Sequence, residues 1–337
     1  AGGVHKGERF LASTDVHGKF AGIPVVVQAV NAVNRTKSAR RLMDKTLHVH
    51  PDAWMPGLAT RRFRSQAPKQ GRATVVTNGQ RTPGKVAIFS TCYVNYNEPG
   101  IGHDLLRLLD HNEIPYELVE KEQCCGMPKL ELGDLEAVEK HKNANIPVLA
   151  RYAREGYAIL SAIPSCTLMF KQELPLLFPD DADVRSVQAA LWDPFEYLVA
   201  RHRDGLLKTD FTQGLGRVSY HIPCHGRVQN IGRKTEELFK LIGTRVDVQL
   251  NTVERCSGHA GTYGVKKPYH EVAMKIGRPV FKAMGRTDDA GQGPDYISSD
   301  CALAGHHIAQ GMARHELPAA PLRHPLSLVR IAYGLKE

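Results

Sequence analysis

One spacing occurs twice in this chain, and it limits the fold more than any other feature. Cys92 is followed by 31 residues and then Cys124-Cys125-Gly126; Cys224 is followed by 31 residues and then Cys256-Ser257-Gly258. The lead-ins correspond too. Lys85-Val86-Ala87-Ile88-Phe89-Ser90-Thr91 runs into Cys92, and Arg217-Val218-Ser219-Tyr220-His221-Ile222-Pro223 runs into Cys224. Further on, Tyr157 to Ser161 approaches Cys166, and Tyr296 to Asp300 approaches Cys301. Self-similarity on this scale predicts one supersecondary unit built twice in tandem.

The seven cysteines are 92, 124, 125, 166, 224, 256 and 301. An odd count argues against a closed set of structural disulfides. Vicinal Cys124 and Cys125 seldom bridge each other, because a disulfide needs a Cα separation and dihedral that one trans peptide disfavours. Two neighbouring thiolates can bind one metal centre. Buried core cysteines behave as small apolar residues, which accounts for one or two of the seven but not for the vicinal pair or the equal spacings. Zinc is a second alternative, although its usual signature is two close-spaced pairs. Soft thiolates drawn from widely separated segments suit an iron–sulfur cluster.

Periodicity places these cysteines. Strands are predicted at 85–90, 116–119 and 158–162 in the first half, and at 218–222, 246–250 and 296–299 in the second. Helices are predicted between them: 103–111, 135–155 with an interruption near Pro147, 235–242, 270–284 and 302–312, with a short terminal helix over 325–333. Strand–helix alternation gives an α/β fold of two tandem lobes with mostly parallel sheets. Residues 1–84 form a largely helical extension and linker, with a helix beginning near Phe10 and another over 25–42. The first lobe is 85–205 and the second 206–337. Trp192, Phe195, Tyr197 and Leu198 form an apolar stripe at helical spacing, expected in the core. Ligands of open α/β sheets bind beyond the carboxyl ends of strands. Cys92, Cys124, Cys125 and Cys166 all follow predicted strands, so they can converge at one sheet edge.

These motifs resemble a known family. The CCG cysteine-rich domain occurs twice in the B-type subunits of heterodisulfide reductases. It also occurs in iron–sulfur subunits of anaerobic glycerol-3-phosphate dehydrogenase (the C-type subunit), glycolate oxidase and lactate-utilisation systems. The residues that carry the resemblance are Ser90-Thr91-Cys92, Cys124-Cys125-Gly126-Met127-Pro128, Pro164-Ser165-Cys166, Pro223-Cys224-His225, Cys256-Ser257-Gly258-His259 and Ser299-Asp300-Cys301, with His324-Pro325 near the end. The resemblance implies an electron-transfer subunit of an oxidoreductase. One 4Fe-4S cluster would sit at Cys92, Cys124, Cys125 and Cys166, and a second cluster at Cys224, Cys256 and Cys301. Departures from the pattern are Ile163, Ser257 and Ala304, each standing where the family has a cysteine. They leave three thiols at the second site, which is consistent with a cluster whose fourth position is open or filled by His225, His259 or Ser257, or with a degenerate, empty site. The implied partners are a flavoprotein or ferredoxin-type subunit, with a quinone or thiol/disulfide acceptor. The ferredoxin-like Cys-x-x-Cys-x-x-Cys-x-x-x-Cys-Pro runs that precede this region in the family are not in this sequence.

Composition is that of an ordinary globular protein. No run reaches the length of a membrane span. Unpaired cysteine points to a reducing compartment, so the cytoplasm is the expected location, with docking at the inner membrane through a partner. The net charge of +9 concentrates in Arg35 to Arg41 and Arg61 to Arg72. A zinc-bound or metal-free basic scaffold, meeting an acidic partner or nucleic acid, is the rival function. No nucleic-acid motif accompanies the charge.

Overall fold

The computed structural model describes residues 6–337. Its centre is two parallel sheets. The first contains β1 (Val86–Ile88), β2 (Tyr116–Leu118), β3 (Ala158–Leu160) and β4 (Leu191–Trp192), in the order β2-β1-β3-β4. The second contains β5 (Gly216–His221), β6 (Val248–Val253) and β7 (Tyr296–Ser299), in the order β6-β5-β7. The opening strand of each half is therefore central: Val86 pairs with Tyr116 and Ala158, and Val218 with Leu250 and Tyr296. This is the α/β fold with two tandem lobes that the cysteine spacing predicts.

Every residue of β1 and of β3 is buried. Such unbroken apolar runs belong to strands covered on both faces, as parallel strands are. Cover on the first sheet includes the helix Pro99–His111, which buries Leu105, Leu106, Leu108 and Leu109. Each of these side chains contributes on the order of 1.5–3 kcal/mol by leaving water. One apolar core continues from this sheet to Leu238, Phe239 and Ile242 of the helix Lys234–Gly243. A smaller core around Phe281, Ile308 and Met312 lies in the second lobe. The terminal helix Pro325–Ala332 returns to pack on Pro99–His111, where Arg330 Nε meets Asp104 Oδ1 at 2.7 Å in a buried ion pair.

Three local expectations change. The helix Leu135–Arg154 runs through Pro147 without interruption; burial of Ile146, Leu149 and Ala150 offsets the one missing amide donor. The expected helix over 25–42 is two helices, Pro24–Arg35 and Lys37–Leu47, separated at Thr36, which is extended. Trp192 belongs to β4, and only Phe195, Tyr197 and Leu198 lie on the helix Pro194–Arg203.

Two arginines of the basic extension serve its own folding. Arg40 is buried and donates to the carbonyls of Pro51 (3.0 Å), His50 (2.8 Å) and Ala53. Arg62 donates to the carbonyls of Ala21 (2.6 Å) and Lys19. The extension straddles both lobes. Its Ala59 amide donates to Tyr96 O at 2.7 Å, and its His50 amide donates to Val265 O at 2.8 Å.

Candidate functional site

All seven cysteines lie just past the carboxyl end of a strand. Cys92 opens the helix Cys92–Tyr96 after β1; Cys124 and Cys125 precede the helix Met127–Leu130 after β2; Cys166 lies in the helix Pro164–Leu168 after β3. In the second lobe, Cys224 opens the helix Cys224–Arg227 after β5, Cys256 follows β6, and Cys301 precedes the helix Ala302–Arg314 after β7. Parallel strands put all their carboxyl ends on one edge, so each lobe gathers its own cysteines.

The backbone around the first set is specialised. Thr91 has φ +67° and uses its side chain to cap the helix that Cys92 opens, accepting from the Val94 amide at 3.2 Å. Gly126, with φ +97°, begins the next helix directly after the vicinal pair. A positive φ next to each ligand segment lets the chain turn back sharply without leaving the sheet edge.

Cys124, Cys125 and Cys166 are buried and Cys92 is half-buried. Their sulfurs contact one another in a chain: Cys92 to Cys124, Cys124 to Cys125, and Cys125 to Cys166. The thiols of Cys125 and Cys92 donate to Cys124, which holds Cys124 well below the ordinary thiol range; the Gly126 amide and nearby His141 act in the same direction. Cys92 is pushed far up because its proton is committed to Cys124 and because it is buried. Cys125 is pushed up by its bonds to Cys124 and Cys166, and then by burial.

Residues with no signal in the cysteine pattern complete this set. Thr14, from the extension, brings Oγ1 to 3.4 Å from Cys92 Sγ and 4.0 Å from Cys124 Sγ. Asn145 grips the vicinal segment, donating to Cys124 O at 2.9 Å and accepting from the Gln123 amide at 2.8 Å. His141, four residues earlier on the same helix, is buried, and its Nδ1 has no partner. Glu122 accepts from the Ser90 amide at 2.8 Å and pairs with Arg64 at 3.3 Å; burial raises its carboxyl to about 7 against both. Buried soft donors, one stabilised thiolate and an orphaned imidazole nitrogen nearby suit an anionic iron–sulfur group. Among the described residues, no three His, Cys, Asp or Glu side chains are arranged to chelate a single metal ion.

The second set is smaller and more open. Cys224 and Cys256 are exposed and Cys301 is half-buried. Cys224 is raised by burial of its sulfur and then by the neighbouring Cys256. Cys301 is pushed up to about 11 by burial, with the amides of Ala304 and Leu303 opposing, and it interacts with Cys224. The Gly258 amide donates to Cys256 Sγ at 3.4 Å. Of the residues expected to complete this set, His259 packs against His307, with ring centroids 5.6 Å apart, and is held near 3 by burial. His225 is lowered by burial, with Glu173 opposing. No cysteine contributes to either shift. Ser257 is buried.

The two sets adjoin. Tyr93, next to Cys92, interacts with Cys301 and donates to Glu98 Oε1 at 2.6 Å. His306 Nε2 bonds the same oxygen at 2.7 Å, and Trp54 stacks flat on His306 at 4.0 Å. Trp54, Glu98 and His306 border a cavity of about 380 Å³ at the seam between extension and lobes; Ser299 and Ala302, on either side of the Asp300-Cys301 pair, also line it. No helix among the described residues is long and apolar enough to cross a membrane.

Comparison with known proteins gives the same two-part division. The family model for the cysteine-rich CCG domain matches residues 86–171 and 218–308. The C-type subunit of the anaerobic glycerol-3-phosphate dehydrogenase of Escherichia coli is 27% identical over 326 residues, which is 95% of this chain and 75% of that protein. The B-type subunit of the fumarate reductase (CoM/CoB) of Methanothermobacter marburgensis is 25% identical over 266 residues, 78% of this chain and 50% of that protein. Lactate utilization protein A of Bacillus pumilus is 30% identical over 188 residues, 54% of this chain and 75% of that protein.

Proposed function

Because the chain belongs to the CCG cysteine-rich domain family, we propose that it is an iron–sulfur electron-transfer subunit of a multi-subunit oxidoreductase. The observation that carries this reading is the first cysteine set: four cysteines from three separate loops brought side by side at one sheet edge, with Cys124 held well below the ordinary thiol range.

Cys92, Cys124, Cys125 and Cys166 hold a 4Fe-4S cluster, and Cys224, Cys256 and Cys301 hold a second cluster with one position not supplied by cysteine. Bound there, such clusters supply one-electron relay. The chain's own residues set the conditions. Burial of Cys124, Cys125 and Cys166 limits water, and Thr14 and the Gly126 amide place hydrogen-bonding groups near the sulfurs, with the imidazole of His141 close by. The exposed second set is where a partner or acceptor approaches. The two functional lobes are 85–205 and 206–337.

Relatives named as subunits of a glycerol-3-phosphate dehydrogenase and a fumarate reductase support redox partner subunits here. By the same reasoning a flavoprotein or ferredoxin-type subunit delivers electrons. A quinone or thiol/disulfide acceptor takes them at the second set, beside the seam cavity. Iron and acid-labile sulfide analysis of anaerobically purified protein tests this. Matching iron and sulfide with a brown chromophore is expected; stoichiometric zinc without sulfide overturns it.

A further inference from the structure

The helix that carries Cys166 and the helix that carries Cys224 pack on each other, and the side chain of Gln229, two residues past the second helix, bonds to both. Gln229 is buried at the seam between the lobes. Its Nε2 donates to His225 O at 3.0 Å and to Pro164 O at 3.3 Å. His225 follows Cys224, and Pro164 opens the helix Pro164–Leu168 that contains Cys166. The orientation of the amide is forced. Both neighbours are carbonyls, which only accept, so the NH₂ group must face them and Oε1 is left buried without a donor. A buried acceptor with no partner is costly. An apolar side chain would fill the same space without that cost. The feature that only an amide supplies here is two N–H donors aimed at two different ligand loops.

We propose that Gln229 is a positioning residue that locks the Cys166 helix to the Cys224 helix, so that a change at one cysteine set is felt at the other. The two-cluster consequence rests on the proposed function; the mechanical lock does not. One planar amide bonded to both carbonyls ties a shift of one to a shift of the other, and coupling of this kind is reciprocal between sites.

The test uses Gln229→Leu in the full chain. In reduced, metal-free protein, alkylation by iodoacetamide is followed cysteine by cysteine by peptide mass spectrometry. Cys166 is buried in the parent protein, and its rate is expected to rise about tenfold, while buried Cys124 keeps its parent rate. An unchanged rate at Cys166, or an equal rise at Cys124 that signals general loosening, overturns the lock. Gln229→Asn, one methylene shorter, withdraws the amide from one carbonyl and should show the same pattern; it stands in if the leucine variant does not fold.

In reconstituted protein, Cys166→Ser should shift the midpoint potential of the second-set signal when Gln229 is present and leave it in place when residue 229 is Leu. Equal shifts in both backgrounds overturn the coupling. If no cluster can be reconstituted, the proposed function fails, and the alkylation result still decides the lock.

Discussion

Gly126 and Gly258 occupy corresponding places in the repeat, both at positive φ, +97° and +85°, yet alanine should affect them very differently. At Gly126 an added Cβ would lie 3.4 Å from Met169 Cε and 3.7 Å from His141 Cβ, ordinary contacts. The cost there is conformational alone, about 1–2 kcal/mol for an L-residue in left-handed space. At Gly258 the Cβ would lie 2.1 Å from Ala273 O and 3.1 Å from Gly277 N, both backbone atoms of the helix His270–Met284. Neither can yield unless the helix moves. Overpacking of this kind adds about 1–3 kcal/mol to the conformational term, for a total of about 2–5 kcal/mol, a large share of a stability on the order of 5–15 kcal/mol. Urea denaturation of the reduced, metal-free variants, followed by circular dichroism, should show a midpoint for Gly258→Ala well below that for Gly126→Ala. Gly277→Ala should resemble Gly258→Ala, because its Cβ would meet Ser257 O at 2.3 Å from the other side of the same contact. Equal losses at 126 and 258, or a larger loss at 126, would refute the reasoning.

Three further outcomes are expected. Buried His221, His307 and His324 are held near 4, and His259 near 3, by burial. Their folded values lie below the unfolded 6.5, so the stability they contribute is complete above about pH 6.5 and is lost as pH falls toward 4. Asp300 (about 7), Asp193 (about 6) and Glu122 (about 7) are raised by burial. Their contribution runs the opposite way, present at low pH and lost as pH rises through 6 to 7, so the two groups partly cancel between pH 5 and 7. Asp300→Asn should therefore steepen the loss on acidification by up to about 1.4 kcal/mol per pH unit, read by urea melts at pH 5, 6 and 7; an unchanged slope contradicts it. Thr14→Val keeps the shape but removes the hydroxyl beside Cys92 and Cys124, so alkylation of the first set should change while Cys256 is unaffected; no change at either set contradicts the contact. Arg40→Met removes the side-chain donor to the carbonyls of Pro51 and Ala53, while His50 O keeps the Ala53 amide at 3.1 Å, and should cost about 2 kcal/mol, with limited proteolysis reporting an extension released from both lobes.

Much of this architecture is legible in the sequence because parallel strands are short, apolar and punctuated by the cysteines themselves. Lys85 to Ser90 and Ala158 to Ala162 read as strands without any partner in view. The two-residue β4 does not, since its pairing with β3 is a tertiary event with no periodicity of its own. Pro147 shows the limit of a local rule: a breaker is tolerated where the surrounding face is buried. Within the first set, His141 and Asn145 had a readable signal, two polar residues four apart on the otherwise apolar stripe of Val138, Ile146 and Leu149. Thr14 had none, because nothing near it in sequence reveals that the chain returns to it 78 residues later. Gln229 is equally silent, one polar side chain in a loop whose partners come from both lobes.

The central claim is that the seven cysteines form two separate sets, each holding its own iron–sulfur cluster. Mössbauer spectroscopy of iron-enriched, anaerobically purified protein, recorded for the parent, Cys124→Ser and Cys256→Ser proteins, addresses it most directly. Two sets of cluster signals are expected in the parent, with the first lost on substituting Cys124 and retained on substituting Cys256. A parent spectrum without cluster iron, or equal loss of all signals in both variants, would contradict it.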